Sequence, residues 1–323
     1  MNTVFIFGNG FDLNLGLKTS YNDFYQFYFN EKSNNKNINK LKDNISKGIN
    51  NWADLEIALG NYTENLKSLE EFDEVYEDIG EKLSIYLNEQ ENSFEPSKFD
   101  SEVFLKCLAF PEEHIPFADK EKILDFKESY KANYWKINII TLNFTSIIEK
   151  LIGHDGSKIN IGHFDKQTPI TLDTIEHLHG YVDNRMVLGV NDLSQIKNKS
   201  FHENLDITDS LIKNNCNQAS KHKIDNLCES QIYSAKLICI FGSSLGETDK
   251  IWWELIGNCL KNKCYLIIFS ITEQIPSRLE HKKARREREV KNLFLSRTSL
   301  NDEEKKEVYD KIIIVTNSDI FKM

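Results

Sequence analysis

Thr3-Val4-Phe5-Ile6-Phe7-Gly8-Asn9-Gly10, residues 3–10, is the stretch on which the fold turns. An apolar, β-prone run closes in a glycine turn, and Asp12 follows where the first turn of a helix favours an acid. Strand, tight turn and helix in that order open an α/β unit. Further continuous apolar runs lie at Ile137–Leu142, Lys236–Phe241, Tyr265–Phe269 and Lys311–Val315, with shorter ones near Lys158–Ile161 and Thr174–His179. Strands apolar on both faces and alternating with helical stretches are the pattern of a buried parallel sheet. The expected fold is therefore α/β, a doubly wound, mostly parallel, Rossmann-like sheet within a single domain, 1–323.

Between residues 20 and 135 the apolar spacing is helical instead. Tyr21, Phe24, Tyr25 and Tyr28 form one such face, and Trp52, Leu55, Leu59, Tyr62 and Leu66 form another. This predicts a large helical insertion after the first strand, interrupted by the polar run Asn30–Asn50. A second helical stretch is expected from His202 to Tyr233.

Composition narrows the function classes. With 40% hydrophobic and 28% charged residues the chain is too apolar for disorder. Its apolar runs are strand-sized, which argues against a membrane span, and no leader pattern precedes the first strand. A cytoplasmic protein is the expectation. The six cysteines form no Cys-x-x-Cys pair, so reduced core thiols are expected and a structural zinc site is not. A net charge of -10 disfavours general nucleic-acid binding. One local exception runs from Arg278 to Lys291, either a solvated helix face or a contact surface for nucleic acid or an acidic partner.

Ligands of open parallel sheets bind beyond the carboxyl ends of the strands. Four strands here end in polar or glycine-rich segments: Gly8-Asn9-Gly10-Phe11-Asp12, Asn143, His179-Gly180, and Gly242-Ser243-Ser244. Each has a plain alternative. Glycine makes tight turns, asparagine and serine cap helices, and a histidine can be satisfied inside a core. Leu13, three residues past Gly10, departs from the usual dinucleotide fingerprint and disfavours a hydride-transfer enzyme. The alternating His177-x-His179 places both rings on one side of an expected strand. No further ligand is spaced to join them, so no metal is expected.

The opening segment from Phe5 to Phe24 resembles the start of the AbiH family of bacteriophage abortive-infection proteins. Trp52-Ala53-Asp54-Leu55-Glu56 is similar to that family's tryptophan-acidic motif, and the likeness continues through Thr141–Thr145, His177–Gly180 and Gly242–Asp249. More distantly, the same strand ends resemble sirtuin-like NAD-binding domains. That resemblance implies a sirtuin-like core with Gly8, Asn9, Gly10, Phe11 and Asp12 on the pyrophosphate side. It implies Gly242, Ser243 and Ser244 on the adenosine side, and Asn143 with His179 as catalytic residues. The zinc-binding cysteine pairs of protein deacylases are absent, and Asn143-Phe144-Thr145 carries no carboxylate where those domains have one.

The implied function is NAD+ cleavage at the nicotinamide N-glycosidic bond in phage defence. NAD is then a substrate, His179 a general base and Asn143 a group that orients ribose or water. Asp12 and Glu56 are further acidic candidates. The alternative is a non-catalytic sensor of NAD or ADP-ribose that gates a partner. A homo-oligomer or a defence-system partner is compatible with either.

Overall fold

The computed structural model describes residues 1–323 except 132, 133, 154–157, 166, 183, 273 and 274. Seven strands form one sheet: β1 (Asn2–Phe7), β2 (Trp135–Thr141), β3 (Ile159–Phe164), β4 (Thr168–His177), β5 (Leu237–Phe241), β6 (Tyr265–Ser270) and β7 (Ile312–Thr316). Their spatial order is β3-β4-β2-β1-β5-β6-β7. Every neighbouring pair is parallel except the antiparallel β3–β4 pair. The protein is thus α/β with a mostly parallel sheet, and β1 lies near its middle.

The central strands read as unbroken apolar runs because both faces are covered. Successive side chains of a strand point to opposite faces. Accordingly Phe5 and Phe7 pack with Ile137, Ile139, Cys239 and Phe241 in one core layer. Val4 and Ile6 pack with Ile238, Ile240, Leu266 and Ile268 in the other. Helices Ser101–Ala109 and Ile147–Ile152 close the first layer; Ile224–Ser234 and Lys250–Leu260 close the second. A buried ion pair, Lys127 with Glu112, lies beside the first layer near the Trp135 ring.

Helices fill most of residues 21–128. Their aromatic core, including Phe24, Tyr25, Tyr28 and Trp52, continues into Leu188, Val190, Phe201, Ile207 and Leu211. The segment after β4 therefore completes the hydrophobic centre of the helical region.

Three sequence expectations need correction. The polar run Asn30–Asn50 is not an interruption, because helix Lys36–Lys47 occupies it. Ile38, Leu41 and Ile45 give that helix one buried stripe, and the Asn35 side chain caps its first turn. Strand β4 begins at Thr168, ahead of the apolar run seen in sequence, because its first residues pair with β3. It also ends at His177, so His179 lies in the following turn and not on the strand. The two histidines consequently enter different clusters.

All six cysteines are free, five of them buried. No helix among the described residues is long and apolar enough to cross a membrane.

Candidate functional site

Strands β4, β2, β1 and β5 are contiguous and parallel, so their carboxyl ends share one edge of the sheet. The four polar strand ends found in the sequence therefore converge on that edge. They form three local arrangements.

The first is the contact between the β1 and β5 loops. Gly10 N–H donates to Gly242 O at 2.8 Å, Gly8 N–H to Phe241 O at 2.9 Å, and Phe11 N–H to Gly8 O at 2.9 Å. A Cβ on Gly10 would stand 2.6 Å from Gly242 Cα, and Gly242 has φ of +70°. These glycines let two backbones touch, and the amides a phosphate would need are donating inside the protein. Asn9 exchanges two hydrogen bonds with Thr19, at 2.6 and 2.9 Å. Ser243 Oγ accepts from Leu245 N–H at 3.1 Å. Replacement of Gly10 by Ala should accordingly destabilise the fold by about 1–3 kcal/mol, as overpacking does, read from denaturant melts.

The second arrangement surrounds Asp12. Asn143 Nδ2 donates to Asp12 Oδ1 at 2.9 Å, and Thr145 Oγ1 donates to Oδ2 at 2.6 Å. Burial pushes the Asp12 carboxyl up to about 7, against the pull of those two hydrogen bonds. Asn143 Oδ1 is buried without a hydrogen-bond partner among the described residues. Next to it, His177 contacts Asn143 O at 3.2 Å and Glu149 Oε1 at 2.8 Å, so this histidine is satisfied within the protein.

Because the folded-state pKa of Asp12 lies above its ordinary 3.8, its contribution to stability is full below 3.8 and is lost as pH rises through about 7. The isosteric Asp12→Asn change keeps the acceptor that faces Asn143 Nδ2, turns the second bond round so that the new amide donates to Thr145 Oγ1, and removes that loss. The variant should gain melting temperature relative to the parent across that interval. A constant difference would contradict the assignment.

The third arrangement is built on His179. Its Nε2 lies 2.8 Å from Asp249 Oδ1. Lys213 Nζ donates to Asp249 Oδ1 at 2.9 Å and to Glu56 Oε2 at 2.8 Å. Thr248 Oγ1 donates to Glu56 Oε2 at 2.9 Å, and the Gly189 amide donates to Oε1 at 3.3 Å. All of these side chains are buried. Local structure explains how they meet. Asp54 caps helix Leu55–Tyr62 by accepting from Glu56 N–H and Ile57 N–H, which fixes Glu56 in the first turn. Lys213 begins the short helix Lys213–Ala219, and Asp249 ends the loop after β5.

Charge is shared across this group. Burial would raise Asp249, but Lys213 and His179 outweigh it and hold the carboxyl well below its usual range. Burial and then the nearby Asp249 push Glu56 up to about 7. Burial and then Lys213 lower His179 below its ordinary 6.5. An ionised Asp249 at 2.8 Å only accepts. Lys213 Nζ stands 3.4 Å from the same nitrogen and is taken up by the two carboxylates, so Nε2 of a neutral His179 carries the proton. His179 Nδ1 is then a lone-pair acceptor, and it is buried without a partner among the described residues. A cavity of about 740 Å³ is lined by His179, Lys213 and Thr248 on this side.

Thus the structure joins Asn143 to Asp12, joins Gly8 and Gly10 to Gly242, and sets His179 in a separate charged group. Sequence reasoning named Glu56 but missed Lys213, Thr248 and Asp249. Asp249 stood within the Gly242–Asp249 segment, which was a usable signal. Lys213 sits in an asparagine-rich helix with no local pattern to mark it. Among the described residues no group of three His, Cys, Asp or Glu side chains could hold a metal ion.

Fold and site together define an α/β protein with a buried His–Asp pair at the carboxyl edge of a mostly parallel sheet. The chain belongs to the bacteriophage abortive infection AbiH family, whose family model matches residues 4–270. No curated protein matches it.

Proposed function

We propose that the protein is an abortive-infection effector that cleaves NAD+ at the nicotinamide N-glycosidic bond. The family ties the chain to phage abortive infection. The observation that carries the chemistry is a pair of orphaned acceptors, His179 Nδ1 and Asn143 Oδ1, both buried on adjacent strand ends. A buried acceptor without a donor costs free energy, and a bound hydroxyl or water offsets that cost.

In the reaction a water oxygen bonds to C1′ as the bond from C1′ to the pyridinium nitrogen breaks. The bonding pair passes to nicotinamide, which leaves neutral, and the water proton passes to His179 Nδ1. Asp249 holds the ring by Nε2–H and stabilises the imidazolium as it forms. Asn143 Oδ1 accepts from a ribose hydroxyl, while Asp12 fixes its amide. The strand order around β1 suits a doubly wound, sirtuin-like core, in which the dinucleotide lies across the β1 and β5 loops. With the Gly8, Gly10 and Phe11 amides engaged, Ser244 and the outer surface of these loops are left to hold the phosphates and adenosine.

The test is incubation of the purified protein with NAD+ and separation of products. Equimolar nicotinamide and ADP-ribose support the reading. Tight binding with NAD+ intact under conditions that activate defence would instead make the protein a sensor.

A further inference from the structure

The cavity beside His179 has a lining that selects by charge. Asp192, Asp225, Glu229 and Glu254 contribute four carboxyl groups, and six asparagines contribute amides. Trp252 and Tyr233 add aromatic surface. Lys213 is the single lysine or arginine of the lining among the described residues, and its charge is already shared by Glu56 and Asp249. Two outer cations offset part of the acid. Lys250 stands 3.6 Å from Glu254, and Arg185 donates to Asn217, which in turn donates to Asp225. Glu229 has no basic partner among the described residues.

Such a lining repels phosphate and attracts a cation that can also exchange amide hydrogen bonds. The acidic lining is joined by a second observation: His179, a residue of that lining, has a buried Nδ1 with no hydrogen-bond partner among the described residues. We propose that this cavity binds the cationic end of the substrate, an N-substituted pyridinium carboxamide, and excludes the phosphate-bearing end. The inference rests on the proposed NAD+ cleavage. It adds an orientation: the dinucleotide places its positive ring toward the helices Lys213–Ala219, Ile224–Ser234 and Lys250–Leu260, and its phosphates toward the β1 and β5 loops. The ring loses its charge when the glycosidic bond breaks, so an acidic cavity holds the substrate ring more tightly than free nicotinamide. This selects the substrate and lets the product leave, and does not itself lower the barrier to bond breaking.

Three probes with the same ring separate charge from shape: 1-methylnicotinamide (cationic), nicotinamide (neutral) and nicotinate (anionic). Calorimetric titration of the full chain should rank them in that order. Glu229→Lys combined with Glu254→Lys should weaken 1-methylnicotinamide on the order of tenfold or more, because each reversal replaces attraction by repulsion at short range. The milder Glu229→Gln should weaken it in the same direction, and a melting curve confirms that each variant folds. Nicotinate binding as tightly as the cation, or cation binding indifferent to the reversals, would overturn the inference. Cation binding by a protein that leaves NAD+ intact would remove the proposed activity and keep the cavity's charge selection. Cleavage of NAD+ with no binding of the cation would do the reverse.

Discussion

Replacing His179 by Ala lowers the rate of nicotinamide release by about a hundred- to ten-thousand-fold, the usual contribution of a positioned general base. The loss falls mainly on kcat, because the imidazole acts on a proton in flight while other groups of the site carry most of the hold on NAD+. The melting temperature changes far less, since Asp249 keeps its bond to Lys213 when the ring is gone. Asp249→Asn lowers kcat in the same direction by a different route. An amide NH2 turned toward Nε2 moves the ring proton to Nδ1, the atom that must be free to accept. A His179→Ala protein that cleaves NAD+ at the parental rate would remove this histidine from the chemistry.

Lys213→Met produces the largest loss of stability, about 3–5 kcal/mol, because it breaks a buried ion group from the centre. Lys213 donates to both Glu56 and Asp249, and both residues are buried. The change also raises the pKa of His179, since the Lys213 charge adds to the burial that lowers it. Residual activity in this variant therefore falls off at a higher pH than in the parent. Adding Glu56→Gln to Lys213→Met should recover part of the stability above neutral pH, where Glu56 would otherwise ionise without its partner. Denaturant titration of the single and double variants measures this coupling. Equal stability of parent and Lys213→Met would show that the group is not held as a charged unit.

The sheet was legible because its strands are buried on both faces, and a continuous apolar run such as Ile137–Leu142 survives any register. The helical region was legible where aromatic residues repeat at helical spacing. It was misread at Lys36–Lys47, where three apolar residues among lysines and asparagines suffice to bury one stripe. The edge on which polar residues converge was legible too, since strand ends announce themselves by glycine, asparagine and histidine. What each residue does there was not. Gly8 and Gly10 read as a phosphate turn, yet their space is filled by the Gly242 loop, a contact across more than two hundred residues. His177 and His179 read as one alternating pair, and a turn after His177 sends them to Glu149 and Asp249. Lys213 shows the limit most plainly, because only the tertiary fold brings it to Glu56, 157 positions earlier in the chain.

All of this chemistry depends on the charge and tautomer of one ring. Nitrogen NMR of protein labelled at histidine reads both, once His179 is assigned by comparison with His179→Ala. At neutral pH the predicted result is a protonated Nε2 and an unprotonated Nδ1, with the ring acquiring its second proton only below 6.5. A proton on Nδ1, or a ring that is already doubly protonated at neutral pH, would contradict the assignment of His179 as the base.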